Sequence, residues 1–178
     1  NLLLVTEYAL NGIFAWNMDR EFLGALGGGS TGFNDVIGFF SGNGAGWFDR
    51  PHMCQSTRDG DLIVVDTWNH RLQKFSTNGV FKGVLGGKES GWGIEASNLN
   101  ASNKVSKFHA PVAVSSSDDG RFVVTDWGNN RLQWFDEKGF LFKVEDDLAL
   151  NHPYDTQIFG KKCFTANSGA GVILCRDL

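Results

Sequence analysis

The stretch DTWNHRLQKF at residues 66–75 returns as DWGNNRLQWF at residues 126–135. Sliding residues 48–84 onto 108–144 without a gap gives 14 identities in 37 positions, among them Phe48/Phe108, Pro51/Pro111, Gly60/Gly120, Arg71/Arg131 and Gly79/Gly139. A weaker copy opens the chain: residues 5–27 fall on 64–86, with Glu7 in place of the Asp and Gly12 in place of the Arg. A truncated copy begins at Pro153 and carries Asn167 where the Asp stands. Pro153 follows Pro111 by 42 residues, so the minimal unit is about that long and the 60-residue spacing includes an insertion. Such periodicity constrains the fold more than any other feature, because each unit must stack on neighbours like itself to bury its apolar surface.

Each full unit reads as four short strands. In the second unit HMCQST, DLIVVD, RLQKF and VFKGVLG are separated by Asp59-Gly60, the TWNH loop and Asn78-Gly79; the third repeats the pattern with Asp119-Gly120 and Lys138-Gly139. Asp-Gly and Asn-Gly between apolar runs are hairpin signals, and type I′ turns are expected there. Four strands joined by tight turns form one antiparallel meander, the blade of a β-propeller. The expected fold is therefore all-β, a propeller segment of about four four-stranded blades. Its units are approximately 1–27, 48–86, 108–146 and 151–178, with insertions at 28–47 and 87–107 and with the first and last blades three-stranded.

Pro51, Asp59-Gly60, LIVVD, NHRLQKF, Gly79 and GVLG resemble the NHL repeat, and the third unit is similar through Pro111, Asp119-Gly120, VVTD and NNRLQWF. WD40 repeats fit less well, since no Trp-Asp closes a strand. The resemblance implies a ring of about six blades, completed here by residues beyond either end or by another chain.

Within the repeated corner, Asp66 can accept hydrogen bonds from loop N–H groups, Asn69 tolerates a left-handed backbone, and Arg71 offers five donors to Asp66 or to loop carbonyls. Asp126, Asn129 and Arg131 repeat the set, and an architectural role is expected for all six. Leu72 and Phe75 are an odd number of residues apart, so they are expected to face opposite neighbours.

The net charge of −4 and the lack of a Lys/Arg cluster beyond Lys161-Lys162 argue against nucleic acid as a partner. No apolar run has the length of a membrane span. Cys163 and Cys175 are symmetric about Gly169, the expected tip of the last hairpin, so they form either a bridge or two buried free thiols. Asn100-Ala101-Ser102 is a glycosylation acceptor triplet. Together these features point toward an extracellular or periplasmic setting.

Strand alternation places both insertions on the side of the TWNH and WGNN loops. That face is expected to gather Phe39, Phe40, Trp47, Trp68, Trp92 and Trp127 among Gly-rich segments, as a surface for a protein partner or a glycan, with no catalytic residue. Alternatively, the insertions fold back and bury these rings as satellite cores. A competing class follows from the NHL-like amidating lyases, in which a channel zinc is held by three histidines, each placed after the Pro that opens an inner strand. The resemblance implies that role for His52 alone, because Val112 and Tyr154 stand at the other two positions and His109 and His152 precede their prolines. A zinc-dependent lyase or hydrolase needs three ligands and an open position.

Overall fold

The computed structural model describes residues 2–30, 32–35, 39–87, 90–95 and 99–178; residue 1 and the remaining positions of the two insertions lie outside the described residues. Among the described residues there are 14 strands in four antiparallel sheets, and the only helical segments are three 3₁₀ turns of three residues each. The first sheet holds β1 (Leu2–Glu7), β2 (Gly12–Asn17) and β3 (Phe22–Leu26). The second holds β4 (Met53–Ser56), β5 (Leu62–Asp66), β6 (Arg71–Phe75) and β7 (Phe81–Leu85). The third holds β8 (Ala113–Ser116), β9 (Phe122–Asp126), β10 (Arg131–Phe135) and β11 (Leu141–Glu145). The fourth holds β12 (Pro153–Phe159), β13 (Lys162–Asn167) and β14 (Val172–Asp177). Strands consecutive in sequence are neighbours in every sheet, and β4, β8 and β12 lie side by side as inner strands. This is the expected stack of propeller blades. No helix among the described residues is long and apolar enough to cross a membrane.

The hairpin glycines Gly60, Gly79, Gly120 and Gly139 all have positive φ, between 79° and 86°, whereas Asp59, Asn78, Asp119 and Lys138 do not. With Gly60 N–H donating to Thr57 O and Thr57 N–H to Asp61 O, the turn is a type I turn followed by a left-handed Gly. The type I′ expectation is corrected accordingly: one left-handed residue per turn suffices, and Gly supplies it.

An apolar layer separates each pair of blades. Ile13, Leu26, Phe48, Leu62, Val64 and Phe75 fill the first seam; Ile63, Val65, Leu72, Leu85, Phe108, Val114, Phe122, Val124 and Phe135 fill the second; Val123, Leu132, Trp134, Leu150 and Cys163 fill the third. The alternation along β5 sends Leu62 and Val64 one way and Ile63 and Val65 the other, which is why both faces of an inner blade are apolar. Leu72 and Phe75 divide between the same two seams.

The insertions do not stay on one side of the stack. After β3 the chain turns back and pairs Asn34 with Ala25, and after β7 it pairs Gly93 with Val84, so each insertion first descends along the outer strand. Gly32 there meets Gly79, and Gly91 meets Lys138, in the far hairpin of the next blade. Only then does the chain climb back to the Phe48 and Phe108 positions.

Cys163 and Cys175 cannot face one another. In the β13–β14 ladder Asn167 pairs with Val172, which puts Cys163 opposite Arg176 and Cys175 opposite Phe164. The hairpin axis falls half a residue from Gly169, so the two thiols point to opposite faces, and both are free.

Candidate functional site: the corner end of the stack

The corners following β5, β9 and β13 are 3₁₀ turns at Thr67–Asn69, Trp127–Asn129 and Ser168–Ala170, each closed by a left-handed residue: His70, Asn130 and Gly171. Behind the first corner sits a buried ion pair. Asp66 accepts Arg71 Nε at 2.7 Å, Asp49 N–H at 2.8 Å, and the amides of Asn69 and Gln73 at 3.0 Å. Arg71 spends its other donors on the carbonyls of Asn43, Gly44 and Trp47 at 2.6–3.0 Å. Asp126 and Arg131 repeat this geometry, with Arg131 donating to the carbonyls of Asn103, Lys104 and Lys107 at 2.8 Å.

The Arg therefore fastens the returning limb of the preceding insertion to the blade. Burial pushes the Asp66 carboxyl up from its ordinary range, and the Arg71 guanidinium with the surrounding donors pulls it back. In the fourth blade Val172 occupies the Arg position, and a charged partner has no counter-ion. There the acid is replaced by Asn167, which accepts Asn151 N–H at 2.7 Å and donates to Ala149 O at 2.6 Å. The exchange of Asp with Arg for Asn with Val avoids a buried unpaired charge.

The corners also latch blade to blade. Arg50, Ala110 and His152, each just before a proline, have φ of 47°, 47° and 49°. Their N–H groups donate to the side chains of Asn11 at 2.8 Å, His70 at 3.1 Å and Asn130 at 2.7 Å, each the left-handed corner residue of the preceding blade. This succession puts all the corners at one end.

That end separates the six expected aromatic residues. Phe40 is 90% exposed and Trp68 49% exposed. Trp127 is half-buried against the His152 ring, with 5.2 Å between centroids. Phe39 is folded onto Gly12 and Gly27, and Trp47 onto Gly42, where an added Cβ would lie 2.5 Å from the indole. Trp92 is not at this end: it packs on Phe122 at 5.8 Å, and its indole N–H donates to Glu137 O at 3.3 Å. Both contacts lie at the hairpin end of the third blade, opposite Asp126, because the insertion has descended along β7. Trp92 is thereby removed from the expected surface.

Residues that sequence reasoning passed over converge at the channel mouth. Tyr8 lies edge-on to His52 at 5.1 Å, and Tyr154 at 5.7 Å on the other side. The Trp68 indole donates to Tyr8 OH at 3.2 Å, and the Arg50 guanidinium sits 5.8 Å and 5.4 Å from the Tyr8 and Trp68 rings. Burial lowers the His52 pKa. Among the described residues no three His, Cys, Asp or Glu side chains gather, and His52 faces two phenols, so the donors at the mouth do not fit the three-imidazole zinc site.

The family model of the NHL repeat matches residues 48–75 and 108–135. Peptidyl-glycine alpha-amidating monooxygenase B of Xenopus laevis is 31% identical over 135 residues, which cover 71% of this chain and 13% of that protein. The E3 ubiquitin-protein ligase TRIM32 of Homo sapiens is 26% identical over 145 residues, covering 74% of this chain and 22% of that protein. Among solved structures, streptogramin B lyase superposes with a TM-score of 0.60 at 12% identity over 99% of this chain and 51% of that one. The nidogen/laminin complex gives 0.66 at 16% identity over 98% and 54%. These structural likenesses show the β-propeller fold.

Proposed function

This chain is an NHL-repeat β-propeller protein, and from that premise we propose that it acts as a non-catalytic binding or assembly module whose contact surface is the corner end. The observation that carries this reading is the grouping of Tyr8, Trp68 and Tyr154, all exposed, around one mouth built on latched corners, with the exposed Phe40 at the same end, next to Phe39, whose carbonyl accepts the Asn11 side-chain amide. Rigid aromatic rings on a fixed scaffold supply contact area at low entropic cost. A protein partner is the reading adopted, supported by the similar propeller seen in the nidogen/laminin complex; a glycan stacking on Trp68 is the other outcome of the test. The amidating relative would favour a channel metalloenzyme, but Val112 and Tyr154 stand where such a site needs imidazoles.

The test compares photo-reactive benzoylphenylalanine at Phe40, on the corner end, with the same group at Phe159, which is 81% exposed at the far end of β12. One protein cross-linked from position 40 and not from 159 is expected. Cross-links from 159 alone, or equal yields from both, contradict the proposal, and retention of the chain on immobilised oligosaccharide without protein cross-links assigns the surface to a glycan.

A further inference from the structure

We propose that the channel mouth formed by Tyr8, Arg50, His52, Trp68 and Tyr154 is a carboxylate-recognition subsite that takes an Asp or Glu side chain from an acidic segment of the protein partner. This deepens the preceding function and rests on it.

The aromatic pair Tyr8 and Trp68 already has a cation against it, the Arg50 guanidinium at 5.8 Å and 5.4 Å. A cationic ligand would have to displace it, whereas an anionic one adds to it. Among the described residues Arg50 has no ion-pair partner, although it is exposed. The acids next to Tyr8 and Arg50 in sequence have other partners: Glu7 accepts Ala9 N–H at 3.2 Å, and the Asp49 carboxylate acts on His70 in the next seam. The N–H of Arg50 is latched to Asn11, so its backbone is fixed in the left-handed conformation. Ring stacking restricts the side chain as well, and a guanidinium held in place loses less freedom on pairing with a carboxylate. Tyr8 in turn contacts His52, which contacts Tyr154, so further hydrogen-bonding groups line the same mouth, Tyr154 OH lying 3.5 Å from His52 Nδ1. His52 and Tyr154 meet although they are 102 residues apart in different blades, so the mouth exists only in the stacked array.

The experiment titrates the intact ¹⁵N-labelled chain with the peptide acetyl-Gly-Glu-Gly-amide, its Gln counterpart and acetyl-Gly-Gly-Gly with a free carboxyl terminus. Saturable shifts of the Arg50 Nε–H and Trp68 indole N–H signals are expected with the Glu peptide, weakened by 0.5 M salt in the manner of screened charges. Arg50→Gln is expected to weaken binding about tenfold or more, the scale of a lost charge-assisted hydrogen bond. Because the Asn11 latch uses the Arg50 backbone, the variant keeps its fold, which its amide spectrum verifies. Equal shifts from the Gln peptide, or unchanged affinity in Arg50→Gln, overturn the proposal; tighter binding of the free carboxyl terminus overturns the side-chain source. If peptide binding fails while cross-linking from position 40 persists, the carboxylate subsite is wrong and the binding face stands. Peptide binding without such cross-links has the reverse meaning.

Discussion

The Nδ1 atom of His70 accepts the backbone N–H of Ala110 at 3.1 Å, across the seam between the second and third blades. The equivalent seams use Asn11 and Asn130, so this is the one titratable latch of the three. An imidazole can accept at Nδ1 only when that atom is unprotonated.

Burial, then the His109 ring, lower the His70 pKa, and Asp49 opposes them. A depressed folded-state pKa contributes stability above the unfolded value of about 6.5, which is lost as pH falls toward the folded pKa. The chain is therefore expected to lose stability as the pH falls away from about 6.5. His70→Asn, which copies the other seams, should flatten that part of the curve. Urea denaturation of both proteins across this range checks it, and parallel curves contradict the latch.

Arg71 has no exposed surface and satisfies Asp66 together with three loop carbonyls. Replacing it with Met strands a buried carboxylate and frees the insertion, at a cost of about 3–5 kcal/mol. Asp66→Leu with Arg71→Met should be less destabilising than Arg71→Met alone, because no charge is left unpaired. A single-variant loss under about 1 kcal/mol in urea denaturation would show the pair to be incidental.

Much of this was legible in the chain itself. The hairpin glycines and the two-residue alternation mark each strand, and the recurring Asp and Arg mark the corners, because both signals are local. The path of the insertions was not legible: it hangs on two isolated bridges, Ala25 to Asn34 and Val84 to Gly93, which impose no periodicity. Trp92 was misplaced for that reason. The mouth was hidden because Tyr8, Arg50 and Tyr154 come from three different repeat units, and none belongs to the repeated motif.

Cys175 is exposed and Cys163 buried on opposite faces of the last blade, and burial raises the Cys163 pKa. A thiol reagent at pH 8 should label Cys175 within minutes and Cys163 only on unfolding. Mass spectrometry of the non-reduced chain should find no link between the two; a Cys163–Cys175 bridge would contradict the ladder register.

Phe108 is buried in the second seam, packed against Phe135 at a centroid distance of 6.0 Å. Phe108→Ala should cost about 3–5 kcal/mol through lost burial and the cavity left behind. Thermal denaturation by calorimetry measures it, and a negligible shift would mean that the seam does not hold the blades together.

The central claim is that recognition takes place at the corner end. The most direct measurement is the affinity of the partner captured from position 40, determined by calorimetry for the unmodified chain, for Trp68→Ala with Phe40→Ser, and for Phe159→Ser. A loss of about tenfold or more confined to the Trp68/Phe40 variant is expected; a loss confined to Phe159→Ser contradicts the account.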